Sequence, residues 1–289
     1  MKNRIILGSA NFDHIYGVKK NIIKKNEIKK LFDLAFKKKV RTIDTSPTYS
    51  HSEKIIGVLN NNRFKIISKI PKLPKNIKKK NIQKWLNTIV TTSLKNLKIK
   101  KFECLLVHNS ESLLTKNGSE IYKSIKNIKT KGLTKKIGVS IYDFDVLEKI
   151  LNKFKFNLIQ APFNVLDQRL VEKERLIKLK KQNIEVHVRS IFLQGILLLK
   201  KNLLSKELKS FNKELIVWKN WLKKNKLNAL QVCLLHVLNH NKLDGIVVGC
   251  DSKNQLSEIL KVKKIKNNIS LAGLNIRNKK LIDPRKWVN

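Results

Sequence analysis

Cysteine and long apolar runs are both scarce in this chain of 289 residues. The three cysteines, Cys104, Cys233 and Cys250, are odd in number, widely spaced and outside any metal-ligand motif. This pattern argues against a disulfide framework and a zinc site, and we expect no bound metal. No apolar run approaches the roughly 18 residues of a membrane span, and the first residues lack the apolar stretch of a signal peptide. We therefore expect a cytoplasmic protein that does not enter a membrane.

Acidic residues are also scarce, because 21 Asp and Glu stand against 63 Lys and Arg, and the formal net charge is +42. Such a charge raises the hypothesis of a nucleic-acid-binding protein. Only eight of the basic residues are Arg, whereas nucleic-acid surfaces favour Arg and gather their charge on one face. Lys instead accompanies abundant Asn and Ile along the whole chain, which is the residue bias of an AT-rich coding sequence. Both polyanion binding and compositional drift stay open, and the scattered lysines favour drift.

Hydrophobic residues make up 42% of the chain, enough for a sizeable core. They form eight short β-branched runs, separated by segments with helical spacing, at 4–10, 41–46, 65–70, 102–108, 136–141, 158–163, 185–192 and 245–250. Runs that are apolar on both faces are typical of parallel strands covered by helices. Eight strand–helix units in this length predict a (β/α)8 TIM barrel in the α/β class. A doubly wound open sheet is the alternative, although no G-x-G-x-x-G follows the first strand.

No linker rich in Pro, Gly or Ser divides the chain, which holds five prolines and ten glycines. We therefore expect a single domain over 1–289. Two segments depart from the strand–helix alternation, namely 196–227 and the C-terminal tail 265–289. The first contains an extra amphipathic pattern formed by Leu208, Phe211, Leu215, Trp218 and Leu222. Both segments are candidates to cover one mouth of the barrel.

Four side chains of complementary chemistry close or follow the second, third and fourth strands. They are Asp44, Tyr49, Lys69 and His108, and strand ends are where such barrels carry their chemistry. A Tyr hydroxyl, with an ordinary pKa of about 10, donates a proton more readily when a nearby ammonium stabilises its anion. We expect Lys69 to lower the pKa of Tyr49 in this way. Asp44 would pair with Lys69, and His108 would donate to the same substrate oxygen, a set that suits carbonyl reduction.

The segment TIDTSPTYSHSEKIIG resembles the aldo-keto reductase family, whose members carry an Asp, four residues, a Tyr, then Ser-Glu and a Gly. Those positions are Asp44, Tyr49, Ser52, Glu53 and Gly57, and the resemblance continues through NLIQAPFNVLDQR to VVGCDSKNQLSEIL. It implies an NAD(P)-dependent oxidoreductase that transfers a hydride between nicotinamide and a carbonyl or alcohol carbon of a small molecule. The segments YSHSEKIIG, FNVLDQR and VHVRSIFLQG are similar to bacterial members associated with polysaccharide and sugar-nucleotide biosynthesis. They imply a sugar-like substrate.

The resemblance also implies which residues hold the nicotinamide half of the cofactor. Ser140 and Gln160 correspond to the pair at the nicotinamide carboxamide, and Ile141 stands where an Asn usually follows the Ser. Arg189 stands where an aromatic ring often stacks on the nicotinamide, and a guanidinium plane stacks similarly. The loop along the pyrophosphate corresponds to Ser190, Phe192, Gln194 and Gly195.

The segment after the eighth strand corresponds to the adenosine end of the cofactor site. The residues concerned are Gly249, Asp251, Ser252, Gln255 and Glu258, with Ile259 in place of the family's Asn. Members that prefer NADP often carry Lys and Arg at the positions of Gly249 and Gln255, and Asp251 would repel a phosphate. The resemblance therefore leans slightly to NAD(H), although Lys253 could still reach a phosphate. A nicotinamide-binding regulatory barrel with slow turnover is the alternative function.

Overall fold

The computed structural model describes residues 4–12, 17, 22–199, 210–262, 271, 273–276 and 278–287. Within them, eight parallel strands form a closed barrel in chain order. The strands are β1 (Ile5–Gly8), β2 (Thr42–Asp44), β3 (Lys65–Ile70), β4 (Phe102–Val107), β5 (Thr134–Ser140), β6 (Leu158–Pro162), β7 (Glu185–Arg189) and β8 (Gly245–Val248). Because β1 pairs with both β2 and β8, the sheet has no open edge. The predicted (β/α)8 TIM barrel is confirmed, and the open doubly wound sheet is wrong.

Helices follow the strands and pack around the barrel. In the described part of the chain they are α1 (Lys25–Lys37), α2 (Ser52–Leu59), α3 (Ile82–Leu97), α4 (Gly118–Thr130), α5 (Phe144–Leu151), α6 (Arg175–Lys181), α7 (Asn212–Lys224), α8 (Ala229–Asn239), α9 (Lys253–Lys261) and α10 (Lys279–Ile282). Helix α1 shows why they form, since its apolar residues Ile28, Leu31, Phe32 and Ala35 share one face and are fully buried. Short 3₁₀ helices at Ser110–Leu114, Leu193–Leu198 and Pro284–Lys286 lie in the connections and the tail.

Helix α2 approaches helix α3 closely at Gly57. A Cβ atom on Gly57 would lie 2.0 Å from the carbonyl oxygen of Asn96, so only glycine permits this approach. The same helix holds Ser52, whose hydroxyl donates to the Ser9 hydroxyl at 2.8 Å. Helix α2 is therefore held against α3 at Gly57 and, through Ser52, against the segment that follows β1.

A small apolar cluster fills the barrel interior, separate from the larger core between strands and helices. Its buried members are Ile6, Ile67, Cys104, Leu106 and Leu158. Side chains two residues apart on a strand point to the same face. Lys69, His108 and Gln160 each follow one of these apolar residues by two positions. Their side chains therefore lie on the inner face, at the C-terminal end of the barrel.

The two segments that depart from the alternation both lie beside this end of the barrel. The extra amphipathic segment forms α7, which buries Leu215 and Trp218, while Leu208 lies outside the described residues. Part of the predicted tail 265–289, including 265–270, is also outside them. Where the tail is described, the Ile276 N–H donates to the Leu166 carbonyl oxygen at 2.8 Å. The tail is thus held against the loop that follows β6.

Three observations bear on the expectations about membranes, metals and cysteines. None of the helices in the described residues is both long enough and apolar enough to cross a membrane. The same residues contain no group of three or more His, Cys, Asp and Glu side chains placed to hold a metal ion. The three cysteines are buried and unpaired.

Candidate active site

A buried ion pair joins the C-terminal ends of β2 and β3. Lys69 Nζ lies 2.5 Å from Asp44 Oδ1 and also donates to the Thr45 carbonyl oxygen at 2.8 Å. The second carboxylate oxygen of Asp44 accepts from Gln160 Nε2 at 2.7 Å, across the barrel from β6. Asp44 is 4% exposed, Lys69 2% and Gln160 0%. Burial lowers the pKa of Lys69, and the Asp44 carboxylate opposes that shift.

Tyr49 and His108 stand above this pair. Tyr49 belongs to the loop between β2 and α2, where its N–H donates to the Ser46 carbonyl oxygen at 3.0 Å. Its ring centre is 6.1 Å from that of His108, edge to face, and Lys69 Nζ is 5.1 Å from the Tyr49 ring centre. The structure therefore brings together Asp44, Tyr49, Lys69 and His108, as the sequence predicts.

The protonation of Tyr49 differs from the expectation. Burial raises the pKa of the Tyr49 hydroxyl above its ordinary value, and the charge of Asp44 raises it further, while Arg189 lowers it in part. The pKa of Tyr49 therefore lies above its ordinary value, opposite to the net lowering that we expected from Lys69. The physical reason is that burial, the largest contribution, and the Asp44 carboxylate both favour the protonated hydroxyl, while the Lys69 ammonium is paired with that carboxylate at 2.5 Å. Tyr49 is consequently protonated at neutral pH, which is the form a proton donor needs.

His108 is a neutral imidazole at neutral pH. Burial lowers its pKa to about 3, with further lowering from the cations Lys69, Arg189 and Arg285. A neutral imidazole has one N–H to donate and one nitrogen to accept. His108 can therefore donate a hydrogen bond without carrying a charge.

A cavity of about 610 Å³ opens over these four side chains. Besides the four, its walls include most of the residues that the family resemblance assigns to the cofactor, namely Gln160, Arg189, Ser190, Phe192, Gln194, Gly195, Gly249, Asp251, Gln255 and Glu258. Ser140 does not line the cavity but lies behind Gln160, where its hydroxyl donates to Oε1 at 3.4 Å. Ser252 is also outside the lining, because it caps helix α9.

A sequence model of the aldo/keto reductase family matches residues 4–270. The chain belongs to the aldo/keto reductase family. Membership implies NAD(P)-dependent oxidation and reduction of carbonyl compounds that are small molecules. The family resemblance in the sequence is thus confirmed, whereas the narrower resemblance to sugar-pathway members is not.

Solved structures show the same fold at low identity. The holo form of an aldo-keto reductase from Bacillus halodurans superposes with a TM-score of 0.71 at 15% identity, covering 99% of this chain and 92% of that chain. A glycerol dehydrogenase from Gluconobacter oxydans superposes with a TM-score of 0.69 at 18% identity, covering 92% and 88%. Comparison with curated protein sequences finds no match. At these levels of sequence identity, the structural similarity supports the fold only.

The loop after β7 in this reductase carries strained backbone along the cavity wall. Ser190, Leu193 and Gln194 have φ angles of 57°, 47° and 53°, in the left-handed region that residues other than glycine rarely adopt. Strain of this kind concentrates at ligand-binding loops. The Ser190 carbonyl oxygen is held by Asn164 Nδ2 at 3.0 Å, so the strained loop is fixed in place by its neighbour.

Side chains of the protein accept from three N–H groups at the N-terminus of helix α9. Gln255 Oε1 accepts from the Asp251 N–H at 2.8 Å, and Ser252 Oγ accepts from the Gln255 N–H at 3.2 Å. Glu27, from α1, accepts from the Lys253 N–H at 2.7 Å, and that N–H lowers the pKa of Glu27. Two carboxylates, those of Asp251 and Glu27, therefore lie where a helix N-terminus would otherwise attract phosphate.

Sequence reasoning missed four residues that shape the cavity or its surroundings. Asn11 bridges to Asp251 Oδ1 at 2.9 Å, and Tyr142 stacks against Arg189 with 3.8 Å between Cζ and the ring centre. Both follow the ends of strands, so the strand-end rule could have found them. Glu27 and Arg285 carry no local signal, because their roles depend on contacts with distant parts of the chain.

Proposed function

We propose that this reductase interconverts a carbonyl compound and its alcohol with NAD(H), with Tyr49 as the general acid. The observation that carries the proposal is the convergence of Tyr49, His108 and the Lys69–Asp44 pair at one corner of a single cavity. A bound nicotinamide would supply the hydride to the carbonyl carbon.

The four side chains have distinct tasks in this proposal. Tyr49, kept protonated by burial, gives its proton to the carbonyl oxygen, and neutral His108 donates a hydrogen bond to the same oxygen. The Lys69 ammonium stabilises the phenolate that Tyr49 becomes, and Asp44 orients Lys69. In alcohol oxidation the same phenolate accepts the proton from the substrate hydroxyl.

The cavity fits a dinucleotide in size and in hydrogen-bonding capacity. Its volume of about 610 Å³ is typical of small-molecule sites, which span roughly 300–1,000 Å³. Asn11 Oδ1 is a buried acceptor without a hydrogen-bond partner among the described residues, and it would serve a ligand N–H or O–H. Gln160, backed by Ser140, would face the carboxamide, and the free face of Arg189 would stack on the nicotinamide.

The remaining lining residues would hold the rest of the cofactor. The strained loop with Ser190, Phe192 and Gln194 would lie along the pyrophosphate. The segment at Gly249, Asp251, Ser252, Gln255 and Glu258 would face the adenosine.

A preference for NAD(H) over NADP(H) is part of this proposal. Its support is the N-terminus of α9, where Gln255, Ser252 and Glu27 accept from three N–H groups that could otherwise donate to a 2′-phosphate. The carboxylates of Asp251 and Glu27 would also repel that phosphate. Lys253, although exposed, is the cation that opposes this preference.

A sugar-like carbonyl compound is the proposed substrate class. The support is the resemblance of YSHSEKIIG, FNVLDQR and VHVRSIFLQG to members from sugar pathways. Turnover of a sugar panel that does not exceed turnover of small aromatic aldehydes would contradict this choice. The cytoplasmic location stays a prediction alongside it.

The first test is a fluorescence titration with NADH and NADPH at ~200 mM salt, where attraction to scattered lysines is largely screened. We expect saturable micromolar binding and tighter binding of NADH. Tyr49→Phe should abolish turnover while cofactor affinity stays within a few-fold. The matched control is Tyr122→Phe, which removes a hydroxyl that donates to the Lys155 carbonyl oxygen on the outside of the barrel and should keep full turnover.

The outcomes separate this function from the alternatives. Retained turnover in Tyr49→Phe would contradict the assignment of the proton donor. Tight cofactor binding without turnover of any carbonyl would favour the regulatory barrel. Tight, steeply salt-dependent binding of DNA or RNA would favour the nucleic-acid hypothesis.

A further inference from the structure

Tyr142, two residues beyond β5, lies between two guanidinium groups at the mouth of the cavity. Its ring centre is 3.8 Å from Cζ of Arg189, at the end of β7, and 3.9 Å from Cζ of Arg285, in the C-terminal tail. Two guanidinium groups this close cannot share one face, so they cover opposite faces of the ring. We call these three residues the Arg–Tyr–Arg stack.

The two arginines of the stack differ in how their charge is compensated. Arg285 donates from Nε and Nη2 to the Asp283 carboxylate at 2.9 and 2.8 Å, and from Nη1 to Glu111 at 3.4 Å. Among the described residues, Arg189 donates only to uncharged acceptors, the Ile141 carbonyl oxygen at 2.8 Å and the Ser190 hydroxyl at 3.2 Å. Within the described part of the chain, no carboxylate forms an ion pair with it. Arg189 thus brings an uncompensated positive charge to the stack.

That charge faces the reacting end of the cavity. Arg189 lines the same cavity as Tyr142, Tyr49 and His108, and its charge acts on both Tyr49 and His108. Lys69, also at this end, is neutralised by Asp44 at 2.5 Å. Among the described residues, the net positive charge beside the catalytic side chains therefore comes from Arg189.

We propose that the carbonyl substrate carries an anionic group, a carboxylate or a phosphate, and that the edge of the Arg189 guanidinium receives it. The inference rests on the proposed function and names the substrate class for that site. A guanidinium stacks through its faces and hydrogen-bonds through its edge. Binding an anion at the edge is therefore compatible with Tyr142 on one face and a nicotinamide on the other. Arg285 is a positioning residue. It packs on the face of Tyr142 opposite Arg189, and Tyr142 in turn sets the plane of the Arg189 guanidinium.

The test uses pairs of aldehydes that differ in charge. 4-Carboxybenzaldehyde is compared with 4-formylbenzamide, and D-glyceraldehyde 3-phosphate with D-glyceraldehyde, at saturating NADH and ~200 mM NaCl. We expect kcat/KM to be at least about tenfold higher for the anionic member of one pair, since charge-assisted hydrogen bonds are the strong ones. A preference within the first pair would indicate a carboxylate, and a preference within the second pair would indicate a phosphate. Equal values in both pairs would overturn the inference while turnover of the neutral aldehydes keeps the reductase function intact.

Variants separate Arg189 from the overall charge of the protein. Arg189→Gln should remove the preference, with the Kd for NADH measured separately because this residue also faces the cofactor. Arg285→Gln should reduce the preference about threefold. The control is Arg41→Gln, which also removes an arginine stacked on a ring, Phe36 at 4.1 Å, but at the opposite end of the barrel. An equal loss of preference in Arg41→Gln would overturn the inference.

A binding measurement decides the inference even if no aldehyde is turned over. Calorimetry with benzoate, benzamide and inorganic phosphate is run on the wild type and on Arg189→Gln. Binding of an anion that is lost in the variant, with no binding of benzamide, supports the anion site. Identical anion binding in both proteins overturns it.

Discussion

The two ends of the cavity are built in different ways. At the catalytic end, Asp44, Lys69 and Gln160 come from three strands and bond to one another in the buried interior. At the other end, Asp251 and Gln255 bond within a short segment at the start of α9, and Glu27 joins them from the exposed side of α1. Burial makes the catalytic end rigid and intolerant of substitution, whereas the exposed α9 end accepts substitutions.

Loss of the buried charge pair should have the most severe consequences. Lys69→Met leaves the Asp44 carboxylate buried without its cation, which should lower the free energy of unfolding by about 3–5 kcal/mol. Turnover should fall by about a thousandfold. Urea denaturation and steady-state kinetics measure the two effects.

The double variant Lys69→Met with Asp44→Asn separates the effect of the unpaired charge from the effect of side-chain packing. It removes both charges, so it should recover most of the stability but none of the turnover. A double variant as unstable as Lys69→Met would show that packing, rather than the unpaired carboxylate, accounts for the loss.

The close approach of α2 to α3 tests how the catalytic end is supported. Gly57→Ala forces a methyl group against the Asn96 carbonyl oxygen, which would be 2.0 Å away, and should cost about 1–3 kcal/mol of stability. Val58→Ala on the same helix, at a position 48% exposed, should change stability by less than about 0.5 kcal/mol. Thermal or urea unfolding measures both, and equal losses would argue against a special role for the close approach.

The exposed end should accept new charges readily. A Cβ atom on Gly249 would meet nothing within 4 Å, so Gly249→Lys with Gln255→Arg should fold normally. The Kd ratio should shift about tenfold toward NADPH, or about 1.4 kcal/mol, because two cations replace a glycine and a competing acceptor. Glu27→Gln should act in the same direction by about threefold.

The control for these variants is Thr88→Lys with Thr92→Arg, which adds the same two charges at exposed positions of α3. It should leave the Kd ratio of the two cofactors unchanged. A similar shift in this control would assign the effect to overall charge instead of to the α9 segment.

A change of pH should have the smallest effect on the catalytic end. Because the pKa of His108 is lowered to about 3 and that of Tyr49 is raised, neither group changes protonation between about pH 5.5 and 8. The kcat for carbonyl reduction should therefore change by less than about twofold over this range at saturating cofactor. An acid limb near pH ~6.5 that persists in His51→Asn and disappears in His108→Asn would contradict the prediction.

Much of the catalytic end could be predicted because all strands of a barrel end at one face. The strand-end positions of the sequence point to Asp44, Lys69 and His108, and Tyr49 follows shortly after the first of them. The protonation of Tyr49 could not be predicted in the same way. It depends on how far the Asp44 carboxylate cancels the Lys69 charge, and on burial, which no spacing in the sequence reveals.

Local patterns in the chain were enough to predict the eight strands, the closed barrel and the family, because periodicity and strand-end chemistry belong to short segments. Which charged groups compensate one another depended on the folded arrangement. Glu27 accepts from the Lys253 backbone N–H across 226 residues, and Arg285 donates to the Glu111 carboxylate across 174. The reason is that electrostatic pairing follows distance in space and burial. The uncompensated charge of Arg189 is therefore a property of the folded protein that no segment of the sequence carries alone.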